Sequence, residues 1–142
     1  MDEIFSTTEL GKPDRRLISL ALKAKERAYA PYSKYRVGCA IVDNRGRVHT
    51  GCNIETDSFL AAVCAERVAI LKMISRGEKE CIKVVVATSF EEPVFPCGVC
   101  RQVIREFSRD PLIIAVNKDG TAYRKAKLSG LFPFSYTVER PR

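Results

Sequence analysis

The sequence predicts an α/β fold of three layers, with helices on both faces of a five-stranded mixed sheet. Three observations carry this expectation. Helical and extended stretches follow one another in the order α-β-β-α-β-α-β-β. Val37 to Val42 is apolar on both faces, as a strand covered from above and below must be. Only a few residues join the fourth and fifth strands, which permits a hairpin and forbids a parallel crossover. Strands four and five should therefore run antiparallel.

Residues 1–12 are polar and without period, so they read as a loosely held N-terminal arm. Pro13 and Asp14 suit a helix start, and Leu17, Leu20, Ala21, Ala24 and Ala28 repeat at helical spacing to a stop before Pro31. Val37 to Val42 and Arg47 to Cys52 flank the turn Asn44-Arg45-Gly46 and form a hairpin. Asn53 to Val63 has no clean period and reads as a loop. Cys64 to Arg76 follows as a helix ended by Gly77. Val68, Leu71 and Ile74 form one stripe of it, and Ala69, Ile70 and Met73 fill most of the remainder, so it should be largely buried. Ile82 to Ala87 is a strand and Phe90 to Phe95 a loop. Cys97 to Ser108 is a helix with Cys100, Val103, Ile104 and Phe107 on one face. Leu112 to Val116, the turn Lys118-Asp119-Gly120 and Thr121 to Lys125 complete the sheet. With no repeat and no linker, residues 1–142 read as one domain.

The chemistry concentrates in Cys64-Ala65-Glu66-Arg67 and Pro96-Cys97-Gly98-Val99-Cys100. Cys97 and Cys100 are three apart, so on a helix they share a face and can chelate one metal. Both segments begin helices, where backbone N–H groups and the positive dipole end lower thiol pKa values and favour the metal-binding thiolate. Three thiols suit a zinc ion with one position left open, which distinguishes a catalytic site from a closed structural one. Glu66, two residues from Cys64, points elsewhere along a helix and is better placed beside a water than as a fourth ligand. A lone CxxC equally suits a metal knuckle, a redox pair or two core thiols. The upstream Cys-x-Glu and the Pro before the pair together resemble the zinc-deaminase signature.

Composition bounds the rest. Hydrophobic residues make 46% and charged residues 29% of the chain, the balance of a globular protein rather than a disordered or membrane-spanning one. The start, Met1-Asp2-Glu3-Ile4-Phe5, has neither the basic nor the apolar region of a secretion signal. Six cysteines are then expected reduced in the cytoplasm, three on metal and Cys39, Cys52 and Cys81 as small core residues. The formal charge of +7 is scattered, without a like-charged block or aromatic interleaving, so solvated helix faces are favoured over a nucleic-acid stripe.

From about Ala28 to Tyr136 the sequence resembles the cytidine deaminase family, in particular its small homotetrameric zinc form. The resemblance rests on Ala30-Pro31-Tyr32-Ser33-Lys34-Tyr35-Arg36-Val37-Gly38, Gly51-Cys52-Asn53-Ile54-Glu55, the two cysteine segments with Arg101-Gln102, and Leu131-Phe132-Pro133. It implies the cytidine-deaminase-like fold, one Zn2+ per subunit on Cys64, Cys97 and Cys100, and Glu66 as the proton shuttle for attack on C4 of the pyrimidine. It further implies that Arg67 donates to the thiolates, that Asn53 and Glu55 bind the sugar, and that Tyr35 stacks on the base where the family usually has Phe. Ala65 would contribute its backbone, while Phe59 and Tyr136 would line a neighbouring subunit's pocket. Taken singly, Asn53 and Glu55 also suit a loop cap, the aromatics core packing and Arg67 the surface. The chain departs from the family at Thr56-Asp57, commonly Asn-Ala, and in the tail from Phe134.

The expected function is hydrolytic deamination of cytidine and deoxycytidine to uridine and deoxyuridine, in pyrimidine salvage, by a homotetramer acting on a small nucleoside. One alternative is a blasticidin-S-type deaminase, against which Glu55 argues because that relative lacks the carboxylate there. The others are a nucleic-acid cytosine deaminase and a non-catalytic zinc-stabilised module.

Overall fold

The structure, a computed structural model, describes residues 3–138. Its elements are β1 (Phe5–Ser6), α1 (Lys12–Lys25), β2 (Val37–Asp43), β3 (Val48–Cys52), α2 (Ala65–Ser75), β4 (Cys81–Thr88), α3 (Gly98–Glu106), β5 (Leu112–Val116), β6 (Ala122–Lys127) and α4 (Leu128–Leu131). The strands form one mixed sheet in the order β1-β6-β5-β4-β2-β3. The β2–β3 hairpin is antiparallel, β2 meets β4 antiparallel, and β4 and β5 are parallel across the α3 crossover. The short connection after β5 turns the chain back, and β5 and β6 pair antiparallel.

The sheet therefore has six strands where the sequence predicts five. The additional one lies in the segment expected to be a loose arm, whose first two residues fall outside the described residues. Phe5 and Ser6 pair with Tyr123 and Ala122 on the outer side of β6, and Phe5 packs at 5.6 Å from the Tyr123 ring. The Thr7 hydroxyl donates to the Gly120 carbonyl at 2.8 Å, and Leu10 is buried. Two residues carry no periodicity, so such a clip leaves no pattern in the sequence.

Side chains alternate between two cores. Cys39, Ile41, Val84, Val86, Ile113 and Ala115 face α2, α3 and α4, whereas Ala40, Val85, Ala87, Ile114 and Val116 face α1. Burial on both faces explains why these strands are apolar throughout. Helix α1 buries Leu17, Ile18 and Ala21. Helix α2 buries Ala65, Glu66, Ala69, Ile70 and Met73, so Ile70 and Met73 rather than Leu71 mark its core face. Leu71 is exposed. An α2 apolar nearly all round offers no preferred stripe, and packing decides which face turns inward.

Glycines bring α1 and α2 close to the sheet. A Cβ on Gly38 would fall 2.0 Å from the Ala21 carbonyl oxygen, and one on Gly51 would fall 2.4 Å from that of Ala65. Among the described residues no helix is long and apolar enough to cross a membrane.

Candidate active site

Helices α2 and α3 both begin at the end of the sheet where Val37 of β2 pairs with Thr88 of β4. Cys64 is the N-cap of α2 and Cys97 the N-cap of α3, each in extended backbone and neither making a side-chain cap bond. An oxygen side chain at this position would be consumed by the first-turn N–H groups. Sulfur leaves those donors to polarise the site, which favours the thiolate. Cys100, one turn into α3, is fully buried. The Sγ atoms of Cys64, Cys97 and Cys100 lie within 4.8 Å of one another.

The electrostatics of this cluster fit a cation. The Cys64 thiol is lowered to about 5, chiefly by hydrogen bonding with Cys100 and then, against burial, by Arg67. Cys100 moves upward, because its S–H faces the ionised Cys64 and is buried. Three adjacent sulfurs cannot all ionise against one another. A divalent ion removes that conflict, and an all-thiolate set of three matches zinc.

Glu66 is 5% exposed. Burial pushes its carboxyl up to about 7, and the Cys64 charge adds to the rise. The Arg67 guanidinium reaches back along α2, Nη2 donating to the Ala62 carbonyl at 3.1 Å and to Cys64 Sγ at 3.8 Å. Its Nε is buried with no partner among the described residues, a donor held beside the sulfurs.

Cys64, Ala65, Glu66 and Cys97 open onto a cavity of about 410 Å³, which Tyr35 and Asn53 also line. A second groove of about 390 Å³ between α1, β3 and α2 includes neither the sulfur cluster nor Glu66. One face of the Tyr35 ring stacks on Phe90, with centroids 4.5 Å apart and planes 29° from parallel. Burial raises the Tyr35 phenol, and its hydroxyl meets Thr88. Both ends of the Asn53 amide hold main chain: Oδ1 accepts from Val37 N at 2.8 Å, and Nδ2 donates to the Tyr35 carbonyl at 2.7 Å. Asn53 thus fixes the strand start that presents Tyr35.

Most residues singled out in the sequence meet here, but three do not. Glu55 is absent from the cavity lining, and its carboxylate accepts from the N–H groups of Tyr32 and Ser33 and from the Ser33 hydroxyl. Phe59 is 77% exposed and edge-on to Tyr32, and Tyr136 is 74% exposed. Neither lines this chain's cavity. Conversely, Phe90, Thr88 and Arg101 line it without having been singled out as site residues. Arg101 could have been found, because it lies four residues after Cys97 and so on the same helical face.

The sequence model of the cytidine and deoxycytidylate deaminase zinc-binding region matches residues 12–116. The chain belongs to this deaminase family. Its cofactor is accordingly Zn2+, for which the sulfur cluster supplies the donors. The chain is 38% identical over 124 residues to a cytidine deaminase of Halalkalibacterium halodurans, covering 87% of this chain and 93% of the relative. With a cytidine deaminase of Sporosarcina psychrophila the identity is 36% over 124 residues, covering 87% and 91%. The crystal structure of a cytidine deaminase from Burkholderia pseudomallei superposes with a TM-score of 0.81 at 35% identity, covering 86% of this chain and 98% of that one.

Proposed function

We propose that the chain catalyses zinc-dependent hydrolytic deamination of cytidine and deoxycytidine to uridine and deoxyuridine, releasing ammonia. The observation that carries this reading is a buried carboxyl, Glu66, against three clustered sulfurs on a cavity of small-molecule size. Cys64, Cys97 and Cys100 would hold zinc, which when bound brings the pKa of a water into the neutral range. Glu66 would carry one proton of the attacking water to N3 and the other, from the hydroxyl then on C4, to the amino group, which leaves as ammonia while C4 becomes a carbonyl. Arg67 offsets the negative charge that three thiolates place around the ion.

Tyr35 offers the base the ring face that Phe90 leaves open, and the main chain at Ala65 borders the same space. Asn53, on the cavity wall, marks the sugar side, and Glu55, outside the lining of this chain's cavity, would reach a ribose hydroxyl by exchanging its Tyr32 and Ser33 donors for it. The hydrogen bonds of Ser33, hydroxyl first, and of the Tyr32 N–H hold Glu55 below the usual carboxylate range, so it is charged at neutral pH. A carboxylate accepts from ribose hydroxyls and repels a phosphate, which favours nucleoside over nucleotide. Phe59 and Tyr136, exposed here, would complete the cavities of neighbouring subunits in a homotetramer. Pyrimidine salvage in a reducing cytoplasm is the setting.

Zinc content and ammonia release should be measured together on cytidine, deoxycytidine, cytidine monophosphate, blasticidin S and a single-stranded oligonucleotide. Turnover of the first two with bound zinc is the expected result. Turnover confined to blasticidin S or to the oligonucleotide overturns this choice of substrate.

A further inference from the structure

Of the three clustered thiols, Cys64 is half-buried, Cys100 is buried and Cys97 is exposed. Cys100 is fixed by burial within α3, whereas Cys64 and Cys97 are both N-caps and Cys97 is the more exposed of the two. Cys97 also ends an irregular stretch, residues 89–97, between β4 and α3. Pro96, immediately before it, has no N–H with which to anchor that stretch.

The earlier part of that stretch is tied elsewhere, Ser89 to Arg36, Phe90 to Lys118 and Pro93 to Arg124, and at the Pro96 end the tie is Arg101. Its Nε donates to the Pro96 carbonyl at 2.7 Å from one turn inside α3, and its Nη1 donates to the Leu131 carbonyl at 2.8 Å. Leu131 is the last residue of α4, whose terminal carbonyls need partners from outside the helix. The neighbours Leu131 and Phe132 pack on the core that also contains Ala65 and Ile104. One planar guanidinium therefore clamps the residue before a thiol to a segment seated on the core. It does so from the wall of the cavity itself.

We propose that Arg101 is a positioning residue for the zinc site: it sets where Pro96 ends and so where Cys97 delivers its sulfur to Cys64 and Cys100. This rests on the deaminase reading of the cavity. A fixed fork spans two carbonyls on different segments, and the single flexible ammonium of lysine does not reproduce it. Groups that orient metal ligands change metal affinity by about 10–100-fold when removed.

The test uses the full chain loaded with Zn2+, titrated against a chromogenic chelator, and with Co2+, read by its thiolate charge-transfer absorption. Arg101→Lys and Arg101→Gln should each weaken zinc binding about 10–100-fold and shift the cobalt spectrum, with turnover recovering as free zinc is raised. Gln102→Ala releases the Tyr136 carbonyl, its one side-chain partner among the described residues, held at 3.2 Å from the next position of α3, and should keep parental zinc affinity. Melting of each metal-free variant separates this effect from general loosening. Parental zinc affinity and an unchanged cobalt spectrum in both Arg101 variants overturn the assignment, as does an equal loss in Gln102→Ala. A parent protein that binds zinc but releases no ammonia from any nucleoside defeats the deaminase reading instead, and leaves the affinity comparison intact.

Discussion

Glu66 is the residue on which turnover depends, and burial among the sulfurs gives it a proton affinity that an exposed glutamate lacks. Gln is nearly the same shape but cannot carry the proton. Glu66→Gln should therefore retain zinc, read by atomic absorption, while kcat falls by about 10²–10⁴. A kcat within tenfold of the parent would discard the proton shuttle. Glu66 and the three thiols were readable in the sequence because local rules place them. An i,i+3 pair shares a helix face, and a cysteine before each helix must sit at its N-cap. Phe90 and Thr88 were not readable, since they reach the cavity only through the pairing of β2 with β4 and a stacking contact across 55 residues. Glu55 shows the same limit, because its three donors come from residues 32 and 33.

At the level of elements, the site is as well placed as the packing of α2 on β3. Any Cβ at Gly51 would meet the Ala65 carbonyl oxygen at 2.4 Å and the Ala69 nitrogen at 2.6 Å, both rigid main chain. Gly51→Ala must push outward the helix that carries Cys64 and Glu66. Such overpacking costs about 1–3 kcal/mol, and the cost should appear as a lower urea midpoint together with weaker zinc retention. Unchanged zinc retention would show that β3 does not locate the helix start. The inner strands β2, β4 and β5 were predictable to within a residue or two, because burial on both faces leaves nearly unbroken apolar runs. The inward face of α2 was not, since a helix apolar nearly all round is oriented by its neighbours. The two-residue β1 was missed for the opposite reason, having too few residues to show any pattern.

Across the whole molecule, a buried polar cluster closes the end of the β2–β3 hairpin opposite the site. Asp43 is fully buried, with Oδ2 2.8 Å from His49 Nε2, and Oδ1 accepts from the N–H groups of Arg45 and Arg47. Burial alone would raise the Asp43 carboxyl, but His49, these N–H groups and the Arg47 charge together hold it below its ordinary value. A carboxylate depressed in the folded state contributes stability in full above the unfolded value of about 4, and loses it as pH falls through the folded value. The melting temperature should therefore drop on acidification below about pH 4, and Asp43→Asn should flatten that slope. The loop before α2 leaves Phe59 and Leu60 uncovered, Leu60 entirely so. Adjacent exposed apolar side chains of this kind mark association surfaces. Under the homotetramer proposed above, replacing both with serine should shift the sedimenting species toward smaller ones while the fold persists. An unchanged sedimentation profile would remove this loop from the contact. The margins of the sheet bear on the same point. On one side β1 pairs with Ala122 and Tyr123 at the start of β6; on the other, the Lys72 ammonium occupies the outward Thr50 carbonyl at 2.7 Å. Each contact interrupts an edge along which another copy could zip strand by strand, which works against fibrils in concentrated solution.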